Sequence, residues 1–296
     1  MRLTRGKIFY DFVPGIEPRV SISSGDRLVV ETFDAAGGMF LDGWVWERAN
    51  PATGPIYVNG AMPGDTIEVE IHDIKLFGKG YMHIINHKEP TEFSKNGHEF
   101  ITSEAAPDNN IKILNNNGKV FPSNPMIGVI GVAVPRDIEG VYFGSDAGDY
   151  GGNMDNPAIK AGVKVCLPVF VEGAMLGIGD IHGAMADGEI FDQGIEMCAD
   201  VDITVRLRKD MKISRPLVIS DDIISTTASA DTIEEACAHV TTDMRYILET
   251  YHGLSHVDAG LAIGLYGDIR VCQIINKTMR MEIKKDILRE YFDAKV

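Results

Sequence analysis

The 296-residue chain predicts a mostly β protein with a helical hairpin inserted late, on three observations. Apolar residues alternate in short bursts from Arg19 to about Leu207, punctuated by Gly, Pro, Asn and Asp. A Gly-Asp turn followed by an alternating strand occurs twice. Apolar spacing changes from two to three or four only after Asp231.

In chain order, the first turn-and-strand unit starts at Gly25-Asp26, carries Leu28 and Val30 on one face and ends on Asp34. The second starts at Gly64-Asp65 and ends on Asp73. Both are turn-plus-strand solutions. Only the first opens into Ala35-Ala36-Gly37-Gly38, which singles out Asp34 over Asp73. Within the second unit Ile67, Val69 and Ile71 face one way and Glu68, Glu70 and His72 the other, predicting one buried and one wet face. Val163 to Phe170 is strongly apolar, and Val201, Ile203, Val205 and Leu207 alternate with polar residues as antiparallel strands do.

Ile233, Cys237, Val240, Met244, Ile247 or Leu248, and Tyr251 recur at helical spacing, and Asp231 or Thr232 before Glu234 and Glu235 supplies a capping signal. A second helix is predicted from near Ser255 to Tyr266-Gly267, then two strands around Asn276-Lys277 and a short helix over Lys285 to Phe292. No linker or low-complexity segment divides the chain. Residues 1–296 are therefore expected to form one unit: β-rich 1–225, a helical hairpin over about 231–266, and closing strands over 268–283.

Asp and Glu number 43 against 28 Lys and Arg, a formal net charge of −15. Approach to a polyanion is repulsive over a Debye length of roughly 8–10 Å, which argues against nucleic acid and anionic membranes as partners. Carboxylates in excess can ligate hard cations, although most simply solvate the surface. The four cysteines form no C-x-x-C pair, which excludes a zinc ribbon and a dithiol redox motif, and their apolar neighbours predict buried free thiols. With no leader-like N-terminus and no run of about 18 apolar residues, the expected setting is cytoplasmic.

Two segments can carry chemistry. In Gly179-Asp180-Ile181-His182-Gly183-Ala184-Met185-Ala186-Asp187-Gly188-Glu189, extended chain puts Asp180 with His182 on one face and Asp187 with Glu189 on one face, separated by small residues. An imidazole among carboxylates suits Zn²⁺ or general acid/base work; the same pattern also describes an exposed polar hairpin. The second segment, Gly144 to Asp155, has glycines at 144, 148, 151 and 152. Such density implies positive φ or close approach to the main chain, whose N–H groups could receive an amide oxygen or its oxyanion; a flexible loop is the competing reading. An EF-hand register fails there. His83 and His87 are four apart, but Gly78, Gly80, Asn86 and Pro90 argue against a helix and for surface or structural roles. His252 and His256, at the break between the two helices, also read as structural.

Gly151-Gly152-Asn153-Met154-Asp155, the apolar strand with Leu167-Pro168-Val169, and Gly179-Asp180-x-His182-x-Ala184-x-x-Asp187-Gly188-Glu189 together resemble the acetamidase/formamidase family. Glu31-Thr32-Phe33-Asp34, Thr53-Gly54-Pro55-Ile56-Tyr57-Val58, Pro63-Gly64-Asp65 and Gly267-Asp268-Ile269-Arg270-Val271 extend the likeness collinearly over nearly the whole chain. Lys75 to Pro122 matches poorly and is expected to shape the substrate pocket. The resemblance implies a jelly-roll-type β-sandwich with additional small α/β elements, assembly as a homodimer or higher homo-oligomer, and hydrolysis of short linear amides to carboxylate and ammonia. It also implies a divalent metal, zinc first and calcium second, at a site drawing on Asp34, Asp180, His182 and Glu189 with Asn153 and Asp155 nearby.

Chemical reasoning divides the roles. Asp34, Asp180 and His182, with Asp155, would be metal ligands; Glu189, with Asp187, would move protons; and Gly151, Gly152 and Asn153 would face the substrate. Two alternatives stand beside this: a non-catalytic jelly roll holding structural Ca²⁺, and an amidase using Cys166 or Cys198 as nucleophile. No cysteine has a sequence setting that lowers a thiol pKa, and no Ser-Ser-Lys set is visible.

Overall fold

The strand Glu196–Arg208 is the spine of the β-rich part, flanked by Arg27–Thr32 on one side and Thr66–Ile85 on the other, both antiparallel. These neighbours are the two copies of the repeated turn-and-strand unit. The copies flank the spine with an offset: Val30 opposes Val201, whereas its counterpart Val69 opposes Val205, four residues further along. The structure, a computed structural model, describes residues 1–38, 49–85, 98–135 and 145–295. His87 and Gly144 lie outside the described residues.

Val201, Ile203 and Val205 bury their alternate face as expected. The polar face departs from expectation at Glu68, which is buried because Arg208 Nη1 lies 2.7 Å from it and Arg206 also covers it. Thr66–Ile85 runs 20 residues, well past the alternating sequence that ends at Ile74. Its second half gains a further partner, His98–Ala105, from Lys79 onward, while pairing with the spine continues to Tyr81.

A second group of strands builds the floor of the candidate site. Leu176–His182 is buried throughout and pairs antiparallel with Met126–Gly131 on one edge and Ala52–Val58 on the other. Met126–Gly131 in turn pairs with Gly151–Asn153, which also pairs with Ala147–Gly148. Within the glycine-rich segment, Ala147–Gly148 and Gly151–Asn153 are thus paired strands joined by a turn. Gly152 has φ +87°, and a Cβ there would collide with the Asp146 carbonyl oxygen, so close strand approach requires glycine.

Lys164–Pro168 joins this assembly to the C-terminal part, pairing with Thr66–Ile85 on one edge and Leu217–Ile219 on the other. Val165 and Leu167 pack into the β-rich core and Cys166 into a second core. The second core lies between the strands Leu217–Ile219, Ile223–Ser229 and the closing hairpin Asp268–Gln273/Thr278–Lys284, and three helices. These are α1 (Ile233–Tyr251), α2 (His256–Tyr266) and α3 (Lys285–Phe292). Thr232 Oγ1 accepts from Glu235 N at 3.1 Å to cap α1, and Ser255 caps α2 in the same way. Helix α1 buries Ala236, Val240, Met244, Ile247 and Leu248.

The mainly β class and the late helical hairpin are therefore as the sequence predicts. Among the described residues, nineteen strands form one connected, curled and mostly antiparallel sheet. Among them no helix is long and apolar enough to cross a membrane. Truncating the fully buried Met244 to Ala removes core volume without touching the site, and is expected to cost about 2–5 kcal/mol in urea-induced unfolding while leaving turnover of the folded protein unchanged.

Candidate metal centre

Asp180 and His182 lie two apart on the Leu176–His182 strand, and Gly128 stands opposite Asp180 on Met126–Gly131. Asp155 follows the Gly151–Asn153 strand, its backbone N–H donating to the Gly128 carbonyl at 3.3 Å. A Cβ at position 128 would lie 2.5 Å from Asp155 Oδ1 and 2.7 Å from Asp180 Oδ2. The missing side chain is what lets the two carboxylates converge. Asp155, Asp180 and Glu189 all have positive φ, at 40°, 54° and 46°, a conformation costing about 1–3 kcal/mol each that concentrates at functional sites.

Asp155, Asp180 and His182 each offer one ligand atom, and these atoms lie within 4.8 Å of one another. Asp155 Oδ1, Asp180 Oδ1 and His182 Nδ1 are all buried, and among the described residues none has a hydrogen-bond partner. His182 Nδ1 is 3.8 Å from Asp155 Oδ1, while Nε2 on the far side of the ring is 2.8 Å from Glu196 Oε1. The ring also lies against Gly194, where a Cβ would be 2.8 Å from it. We assign the proton to Nε2, donated to Glu196, which leaves the Nδ1 lone pair facing the carboxylates.

Burial dominates the electrostatics. It pushes Asp155 up to about 7, with the neighbouring charge of Asp180 adding to the effect. Asp180, Glu189 and Glu196 are all driven well above the usual carboxylate range by burial first, then by Glu196, Asp155 and Asp34 respectively. A cation placed among them would reverse this penalty. One imidazole nitrogen with two carboxylate oxygens, oriented by outer hydrogen bonds, is a donor set suited to a three-ligand Zn²⁺ site. Partnerless atoms, cradle and donor chemistry all fit a divalent ion.

Asp34, expected as a ligand, is buried beside this cradle with its oxygens engaged elsewhere. Oδ1 accepts the N–H groups of Ala36 and Gly38 at 2.9 Å each, and Oδ2 accepts from the Cys198 thiol. It is raised by burial and acts on the cluster through its charge on Glu196. Asp187 is drawn away from proton transfer into a two-point ion pair with Arg280, at 2.7 and 3.0 Å. Glu189 is brought in, with Oε1 3.9 Å from His182 Nε2. Gly151 and Gly152 are held in sheet ladders on both sides, an arrangement that supplies close packing instead of an open anion nest. Asn153 is buried nearby with its Oδ1 partnerless among the described residues.

His83 is buried, and its backbone N–H donates to Gln193 Oε1 at 3.0 Å. His252 and His256 make structural contacts, to the Lys295 carbonyl and to Glu249. The cysteine alternative loses its chemical basis: burial pushes Cys166 up to about 12 and Cys198 up to about 11, keeping both as thiols. Sequence reasoning missed Glu196, Gln273 and Gly128. Glu196 left a trace, an acid inside the apolar run Ile195-Glu196-Met197-Cys198-Ala199. The other two reach the site from remote strands and left none.

Residues 4–140 and 146–243 match the Acetamidase/Formamidase family, and the chain belongs to that family. An acetamidase from Bacillus halodurans superimposes with TM-score 0.88 at 33% identity, covering 100% of both chains. A predicted acetamidase/formamidase from Thermoanaerobacter tengcongensis gives the same TM-score, 0.88, at 32% identity over 98% of this chain and 97% of that one. The formamidase of Methylophilus methylotrophus is 26% identical over 271 residues, covering 69% of this chain and 65% of the relative. The chain spans just under two thirds of the length of the formamidases it matches, 66% and 65%.

Because the buried carboxylates take up protons on folding that the unfolded chain has already released, the metal-free protein binds more protons folded than unfolded between about pH 4 and about pH 7. Its stability is therefore expected to fall as pH rises through that window. Thermal melts in chelator at pH 5, 6 and 7 should show a decreasing melting temperature, and a saturating divalent ion should flatten the trend.

Proposed function

We propose that the protein hydrolyses short linear amides of the formamide/acetamide class to carboxylate and ammonia, using water activated at a divalent metal held by Asp155, Asp180 and His182. The observation that carries this reading is the convergence of Asp155, Asp180 and His182, each with a buried atom that has no hydrogen-bond partner, in a member of an amidase family. The imidazole nitrogen favours zinc over calcium, which prefers an all-oxygen shell.

A bound divalent ion supplies Lewis-acid polarisation of an amide carbonyl and a water pKa of roughly 7. The chain supplies the rest. Glu196 holds His182 in the tautomer that presents Nδ1. Glu189, driven well above the usual carboxylate range by burial first and then by Asp155, is the carboxyl group in reach of the cluster that can hold and return a proton. It takes the proton of the attacking water as the new C–O bond forms, then delivers it to nitrogen as the C–N bond breaks, so that ammonia and not amide anion departs. Asn153 Oδ1 accepts an N–H of the substrate and holds it in register. Assembly as a homo-oligomer and a cytoplasmic setting belong to the same reading, the first to be checked by light scattering.

Metal content by elemental analysis and ammonia release from formamide and acetamide, before and after chelation, test the proposal. Full activity in metal-free protein would overturn it. His182→Ala is expected to lose both metal and turnover while retaining the fold. Glu189→Gln should keep the metal and lose about 10²–10⁴-fold in kcat, the range for a missing proton-transfer group.

A further inference from the structure

We propose that Gln273 is a positioning residue of the metal cradle, its side-chain amide locking Asp155 so that one carboxylate oxygen is left for the cation. The inference rests on the metal reading above. Gln273 ends the Asp268–Gln273 strand of the closing hairpin, more than a hundred residues from Asp155, and is 1% exposed. Its Nε2 donates to Asp155 Oδ2 at 2.8 Å and to the Asn153 carbonyl at 2.7 Å, while its Oε1 accepts from Asn276 N at 3.1 Å.

Both amide hydrogens are thus spent on the segment that carries Asp155, and the oxygen is anchored on its own hairpin. Turning the amide over would set oxygen against carboxylate and lose all three contacts, so its orientation is fixed. A carboxylate's terminal torsion is otherwise broad. With Oδ2 held, Asp155 Oδ1 stays buried and partnerless 3.8 Å from His182 Nδ1. A neutral donor is the right choice here, since Lys or Arg at the same place would fix the carboxylate but cancel the charge a cation needs.

The same turn of chain also grips the segment bearing Glu189. Gly188 N donates to the Cys272 carbonyl at 3.0 Å, Gly188 bridges to Gln273, and Asp187 is tied to Arg280 on the partner strand. Cys272 and Gln273 therefore place a ligand on one side and the proton-transfer segment on the other. This grip comes from sequence beyond residue 243, where the family match ends.

Zinc titration calorimetry on the full chain, stripped of metal and held below its unfolding temperature, tests the role. Gln273→Met keeps the volume without any donor. Gln273→Leu is smaller and also lacks any donor, and it serves if the first variant does not fold. Both are expected to bind Zn²⁺ about 10–100-fold more weakly, the usual effect of losing an outer partner of a ligand. Raising zinc to saturation should return most of the lost kcat. Asn276→Ala, which removes the Nδ2 contacts to the Asn153 and Ser145 carbonyls but none to Asp155, separates holding the segment from locking the carboxylate: it should lower the melting temperature and leave zinc affinity unchanged. Wild-type zinc affinity in the folded Gln273 variants would overturn the positioning role while leaving the metal reading intact, and so would an equal loss in Asn276→Ala. No zinc binding by the wild-type chain would overturn the metal reading and this proposal with it.

Discussion

The concentration of negative charge in a water-poor interior is the constraint on which the rest of the structure depends. Asp34, Asp155, Asp180, Glu189 and Glu196 are all buried around one histidine. Left alone, such a cluster resists ionisation, and every carboxylate in it is raised by burial. The protein manages the conflict by using some oxygens internally and leaving others bare. Asp34 is satisfied by backbone N–H groups, Glu196 by the imidazole and Asp155 Oδ2 by Gln273. What remains is a small set of unsatisfied donor atoms facing one another. Unsatisfied buried polar atoms are costly in any fold, and here they coincide with the one cluster among the described residues whose ligand atoms converge closely enough to hold an ion.

Much of the fold is built to hold that conflict in place. Gly128 removes the atom that would separate Asp155 from Asp180, and Gly194 lets the His182 ring lie flat against the backbone. The backbone at Asp155, Asp180 and Glu189 sits in a strained region. Such strain persists only where the surroundings over-determine it. The long spine strand is paired along both edges, and the closing hairpin reaches the site from the opposite end of the sequence.

The period-two and helical patterns of the sequence carry most of the architecture, because burial on one face writes directly into residue spacing. Helices α1 and α2 and the closing strands fall where Asp231 or Thr232, Ser255 and Asn276-Lys277 place their boundaries, and α3 covers the expected Lys285–Phe292. The site is legible only in part. Asp180, His182 and Glu189 share one local motif and so can be found together, and Asp155 comes with the glycine-rich strand. Asp34 and Asp187 share that chemistry but also make contacts the sequence does not announce, the first with the backbone N–H groups of Ala36 and Gly38 and the second with Arg280. Those outcomes depend on residues that local spacing does not relate. Gln273 and Gly128 are invisible for the same reason, since their importance arises only when distant strands meet.

The Lys164–Pro168 strand belongs to two cores at once, Val165 and Leu167 to one and Cys166 to the other. Neither core can open without pulling on a strand whose other face seals its neighbour. The helical layer and the β-rich body therefore share one strand, although their apolar clusters are separate. Gln273 extends the same logic from stability to chemistry. Its amide joins the closing hairpin to Asp155 across more than a hundred residues of sequence, so the far end of the chain lies against the carboxylate cluster of its middle.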